Sequence, residues 1–145
     1  MCGIAGAVGA IDPAVVDAVR TMTDAEIHRG PDDGGFFRSE GTPGVALGFR
    51  RLAIIDLSAD GHQPMVDEAR RNVVVFNGEI YNYAELRREL SAGGTMFRSK
   101  SDTEVLLHAY GTWGPAALQR LRGMFAFAIY DSGRGEVLLA RDRLG

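Results

Sequence analysis

Asn72-Val73-Val74-Val75-Phe76-Asn77-Gly78-Glu79-Ile80-Tyr81-Asn82 decides the architecture of this chain. The β-branched run makes a strand from Asn72 to Phe76. Asn77-Gly78 ends it, since that pair after a strand is normally a turn. Asn82 then caps a helix through Leu90, with Glu85 three residues on and Leu86 and Leu90 spaced i, i+4. A strand followed so soon by a helix calls for layers of both kinds.

Working downstream, Ser101-Asp102-Thr103-Glu104 forms a capping box. Its helix carries Val105, Leu106, Ala109, Tyr110 and Trp113 on one face. Pro115 to Arg122 reads as a shorter helix. Met124 to Tyr130 and Glu136 to Ala140 form a hairpin around Asp131-Ser132-Gly133. Arg141 to Gly145 reads as a strand leading into a turn, with no stop signal after it.

Upstream, residues 3 to 8 alternate small and branched apolar types and read as a buried strand. Asp12-Pro13 opens a helix whose apolar stripe is Val15, Val19 and Met22. That helix is expected to end near Arg29-Gly30-Pro31. Gly34 to Ser39 and Val45 to Phe49 read as strands joined by a turn with Gly41, Pro43 and Gly44. Leu52 to Asp56 is expected to be a further short strand, and residues 58 to 71 a loop. Many strands interleaved with a few helices predict a layered α+β sandwich.

The 145 residues suffice for one domain with its own core. A net charge of −3 argues against nucleic acid or an anionic membrane as a partner. No apolar run is long enough to cross a bilayer. The N-terminus lacks a basic region and is broken by Gly6 and Gly9, so it reads as mature sequence rather than a signal peptide. The single cysteine excludes an internal disulfide and fits a reducing cytoplasm.

A lone cysteine is most often a small buried hydrophobe. Position changes the odds for Cys2. Removal of Met1 would give it both a thiol and a free α-amine, which titrates near pH 8. One residue would then supply nucleophile and base. The Asn77 side-chain amide and the Gly78 N–H can converge on a developing negative charge as an oxyanion hole. The alternative for this pair is the plain turn. Asp102 either favours the helix dipole or faces a ligand, since Ser101 and Glu104 already complete the box. Arg50 and Arg51 are adjacent on an extended chain and so point opposite ways, one to the surface and one to a site. His28, His62 and His108 lack metal-ligand spacing, and no phosphate-binding loop occurs.

Eight motifs, in order, carry a resemblance. They are Cys2-Gly3-Ile4, His28-Arg29-Gly30-Pro31-Asp32, Arg51 to Asp56, Gln63-Pro64-Met65, Asn77 to Asn82, Ser101 to Glu104, Arg122 to Phe127 and Arg141 to Gly145. Together they resemble the type II glutamine amidotransferase domain of glutamine-hydrolysing asparagine synthetases. The resemblance implies a four-layer αββα sandwich of the N-terminal nucleophile hydrolase type, incomplete at its C-terminus. It implies Cys2 as nucleophile with its α-amine as base, and Asn77 and Gly78 as the oxyanion hole. It further implies Arg51 for the α-carboxylate of glutamine, Glu79 and Asp102 for its α-ammonium, and the backbone of Ile54 and Ile55 as pocket wall. No cofactor or metal is expected in this domain. A downstream ATP-dependent synthetase domain of the same polypeptide, with ATP and Mg, is expected to use the ammonia. A homodimer is left open. The competing readings are an amidotransferase of the same fold serving another acceptor, such as a peptide or cell-surface polymer, and a non-catalytic regulatory domain.

Overall fold

A computed structural model describes residues 2–54, 56, 58–67, 69 and 71–145. The β-branched strand is its central element. This strand, β5 (Asn72–Ile80), is longer than expected. Asn77 and Gly78 are not a turn: they pair with Ala126 and Phe125 of β6 (Gly123–Asp131). The first half of β5 is buried on both faces. Val73 and Val75 pack towards one sheet, while Val74 and Phe76 pack towards helices. Such a strand needs apolar residues at consecutive positions, which explains the unbroken apolar run.

Strand β5 lies in a four-stranded antiparallel sheet with β4 (Met65–Asp67), β6 and β7 (Glu136–Arg141), in the order β4-β5-β6-β7. A second antiparallel sheet has the order β1-β3-β2, from β1 (Gly3–Gly9), β2 (Asp33–Arg38) and β3 (Gly44–Arg51). Val45, Leu47 and Phe49 of β3 meet Val73, Val75, Ala128 and Tyr130 between the sheets. Helix α1 (Pro13–Ala25) covers the three-stranded sheet. Helices α2 (Tyr83–Ala92) and α3 (Asp102–Trp113) cover the other. The layers are therefore α, β, β, α, as the resemblance implied.

Several local expectations change. Strand β1 is only partly buried, with Val8 52 % exposed, because it is a sheet edge. Helix α1 stops at Ala25 rather than near Gly30. The chain then tightens through short turns, which free Arg29 to reach back to the N-terminus. On α1, Val19 and Thr23 are buried while Met22 is exposed. Asn82 precedes α2 but does not cap it, because its side chain donates to the Arg120 carbonyl and accepts from Arg122 N–H. Ser101 does cap α3. Glu104 does not close the box on Ser101, accepting instead from the Arg98 and Ser99 N–H groups. Leu107 is buried as well as the expected face, since α3 packs against both the sheet and α2. Residues 114 to 120 form a 3₁₀ rather than an α-helix, and the expected loop after Ser58 contains β4.

The described part of the expected strand over residues 52 to 56 is not a strand. Leu52 N–H goes to the Cys2 sulfur and Ala53 N–H to the Asp32 carboxylate, so neither joins a ladder.

Helix α1 sits against β3 at one close approach. A Cβ on Gly48 would lie 1.8 Å from Thr23 Oγ1. Gly48→Ala should therefore destabilise the fold by about 1–3 kcal/mol through overpacking. Thr23→Ala in the same chain should recover part of that loss, as a double-mutant cycle in urea would measure.

Candidate active site

The N-terminus, the end of β3, the end of β5 and the start of α3 converge on one cleft. Its lining includes Cys2, Arg51, Ile54, Asn77, Gly78, Glu79 and Asp102. Seven of the eight expected site residues thus meet, and Ile55 lies outside the described residues. The side chain of Ile54 is 70 % exposed.

Cys2 is half-buried. Its sulfur accepts from Leu52 N–H at 3.4 Å and faces the Leu52 carbonyl at 3.7 Å. Arg29 Nε donates to the Cys2 carbonyl at 3.2 Å. The Arg-Gly-Pro-Asp motif is thereby a clamp. Gly30 has no room for a Cβ, which would come within 2.5 Å of the Arg50 carbonyl oxygen. Asp32 N–H donates to the Arg51 carbonyl at 3.0 Å, and its carboxylate receives Ala53 N–H at 2.9 Å. Sequence reasoning gave this motif no positional role.

The two arginines do point opposite ways. Arg50 pairs with the exposed Asp24 on the α1 side. Arg51 is only 8 % exposed. It donates to the Ser58 carbonyl at 2.9 Å and to the Asp56 carbonyl. Gly61 leaves the space for its guanidinium, since a Cβ there would lie 2.1 Å from one terminal nitrogen. Arg51 makes no ion pair among the described residues. A buried cation held mainly by carbonyls keeps N–H donors for an anionic ligand.

Asp56 was quoted in a motif but given no role. Its carboxylate accepts from Ser58 Oγ and N–H and, across the cleft, from Lys100 N–H at 2.7 Å. The Ser58 hydroxyl above all, then the Lys100 and Ser58 N–H groups, hold its pKa below the ordinary carboxylate value. It ties the segment after Arg51 to the residues just before α3.

At the start of α3, Asp102 is 5 % exposed and accepts Ile80 N–H at 3.0 Å. Burial pushes its carboxyl up from the ordinary aspartate value, and the neighbouring charge of Glu79 adds to that. Two carboxylates with a shared preference for a cation therefore face the cleft opposite a buried arginine. Between them, the Asn77 side-chain carbonyl is buried with no partner among the described residues. Gly78 has φ +152°, and a Cβ there would lie 2.2 Å from the Met124 carbonyl. Only glycine fits so close to β6. His28, His62 and His108 stay outside the cleft, and the described residues contain no cluster of metal ligands.

The family model for the glutamine amidotransferase domain matches residues 1–145. The chain belongs to that family. It is 44 % identical, over its full length, to a putative glutamine-hydrolysing asparagine synthetase of Mycobacterium tuberculosis, of which it covers 24 %. It is 46 % identical over 89 % of its length to the glutamine-hydrolysing asparagine synthetase 1 of Bacillus subtilis, covering 20 % of that protein. The chain thus spans about a quarter or less of these relatives. Among solved structures, a glutamine phosphoribosylpyrophosphate amidotransferase of B. subtilis superposes with TM-score 0.78 over 96 % of this chain and 37 % of that one, at 20 % identity. That likeness bears on the fold alone.

A neutral Asp102 cannot attract an ammonium group. Because its folded pKa is raised, the carboxyl takes up a proton at a higher pH than an ordinary aspartate. Glutamine affinity of a Cys2→Ala protein should therefore weaken as pH falls towards that raised value. Adding Asp102→Asn should weaken binding about tenfold at pH 7 and flatten this acid dependence, as calorimetric titration would record.

Proposed function

We propose that this domain hydrolyses L-glutamine to glutamate and ammonia through a thioester on Cys2. The observation that carries the reading is the cleft itself. It sets a buried Arg51, without an ion pair among the described residues, and two carboxylates around a cysteine and a glycine–asparagine pair. Free glutamine is a zwitterion with an uncharged amide at its far end. Arg51 matches its carboxylate, and Glu79 and Asp102 match its ammonium. The amide then lies towards Cys2, with Ile54 on the cleft wall.

With Met1 removed, the α-amine of Cys2 takes the thiol proton and the sulfur attacks the carboxamide carbon. The oxyanion that forms is met by the Asn77 side-chain NH₂ and the Gly78 N–H. The carbon–nitrogen bond breaks, the nitrogen leaves as ammonia with the proton from the amine, and a glutamyl thioester remains. Water adds to the thioester, glutamate leaves and the thiol is restored. The unpartnered Asn77 oxygen suits an N–H donor such as the freed α-amine.

The named relatives support L-aspartate as the final acceptor. The ammonia would pass to an ATP-dependent synthetase domain downstream of residues 1–145, where ATP and Mg would serve. A reducing cytoplasm would suit the free Cys2 thiol. In the full-length protein, mass spectrometry should find Cys2 at the N-terminus. Cys2→Ala should lower glutamate release on the order of 1,000-fold or more, while ammonium-dependent synthesis persists. Wild-type-like glutamate release from Cys2→Ala would overturn the assignment. Asn77→Ala should cost about 100- to 1,000-fold in kcat with the substrate still bound, as steady-state kinetics would check.

A further inference from the structure

Gln63 belongs to no part of the chemistry so far, yet it lines the cleft and is only 4 % exposed. Among the described residues its side chain makes two bonds. Oε1 accepts Phe76 N–H at 2.7 Å, and Nε2 donates to Thr103 Oγ1 at 3.1 Å. Both partners adjoin residues of the site, Asn77 and Asp102.

The edge of β5 explains why this matters. On one side, residues 77 to 80 pair with β6. On the other, β4 pairs only with Asn72, Val73 and Val74, because its chain turns away at Pro64. From Phe76 onward this edge has no backbone partner strand among the described residues. Along a strand, N–H groups two residues apart point to the same edge. Phe76, Gly78 and Ile80 therefore share it. Phe125, opposite Gly78, spends its own N–H and carbonyl on Asp142, away from β5, which is consistent with that orientation.

Two of those three N–H groups are taken by side chains. Gln63 holds Phe76, and Asp102 holds Ile80. Both holds rest on consecutive residues at the start of α3, Thr103 and Asp102. Gly78 N–H is suspended between the two pins.

We infer that Gln63 is a positioning residue for the oxyanion donors: its amide replaces the missing strand beside Phe76 and, through Thr103, fixes Asn77 and Gly78 against α3. The inference rests on the glutaminase reading. Misplacing such donors by about 1 Å is worth on the order of 100-fold in rate.

The test uses the full-length protein, with active sites titrated by an alkylating glutamine analogue so that kcat is per competent site. Gln63→Leu, close in size but unable to make either bond, should lower glutaminase kcat about 10- to 100-fold and leave glutamine KM near wild type. Gln63→Glu should recover most of that loss, because a carboxylate still accepts Phe76 N–H while the Thr103 hydroxyl turns to donate. Thr103→Val, which keeps the first bond and loses the second, should fall between. An unchanged kcat in Gln63→Leu, or in Thr103→Val if Gln63→Leu does not fold, overturns the inference. So does a loss that appears in KM alone, or one that Gln63→Glu fails to relieve. A Cys2→Ala control separates the two ideas. If it retains glutamate release, the functional reading falls; if it is inactive while Gln63→Leu turns over normally, only the role of Gln63 falls.

Discussion

The site depends on how β5 satisfies its backbone after its neighbour leaves. A buried strand edge without partners is costly, since each unpaired buried N–H loses hydration without compensation. Strand β4 ends its pairing at Val74, and side chains take over from there. Gln63 serves Phe76 and Asp102 serves Ile80. The Gly78 N–H is left facing the cleft, and a left-over donor is what a developing oxyanion needs.

The same economy of backbone donors shapes the cysteine end. Leu52 and Ala53 leave the ladder of β3 because Cys2 and Asp32 take their N–H groups. Arg29 grips the Cys2 carbonyl, and Gly30 presses on Arg50 where no Cβ would fit. Cys2 thus sits just before β1, held from two directions. Asp56 then bridges from the arginine segment to the residues before α3, so the two ends of the cleft are mechanically joined.

Charge is distributed along the cleft in a way that suits one zwitterion better than two separate ions. Arg51 is buried with carbonyls around it, and Asp102 is buried against a backbone N–H with Glu79 near by. Each charge is costly to bury alone. A ligand carrying both opposite charges on neighbouring atoms relieves both costs at once. The amide end of such a ligand has Cys2, Asn77 and Gly78 before it, and no further charge is required there.

Much of this was legible in the residues. The apolar run of β5, the Ser101 cap, the β6–β7 hairpin and the opposite directions of Arg50 and Arg51 follow from local sterics and strand alternation, which neighbouring residues set among themselves. Seven of the eight residues singled out by the motifs line one cleft. Tertiary structure decided the rest. Asn77-Gly78 continues a strand because β6 offers a partner for both residues, a fact no local propensity contains. Asn82 gives up its helix cap because Arg120 and Arg122, some forty residues away, reach its side chain first. Gln63 reads in the sequence as one polar residue of a loop. Its role appears only when the fold brings an unpaired strand edge and the first turn of α3 to either side of its amide. Sequence sets which groups can donate and accept; long-range packing decides which of them are left without a partner, and the chemistry is placed there.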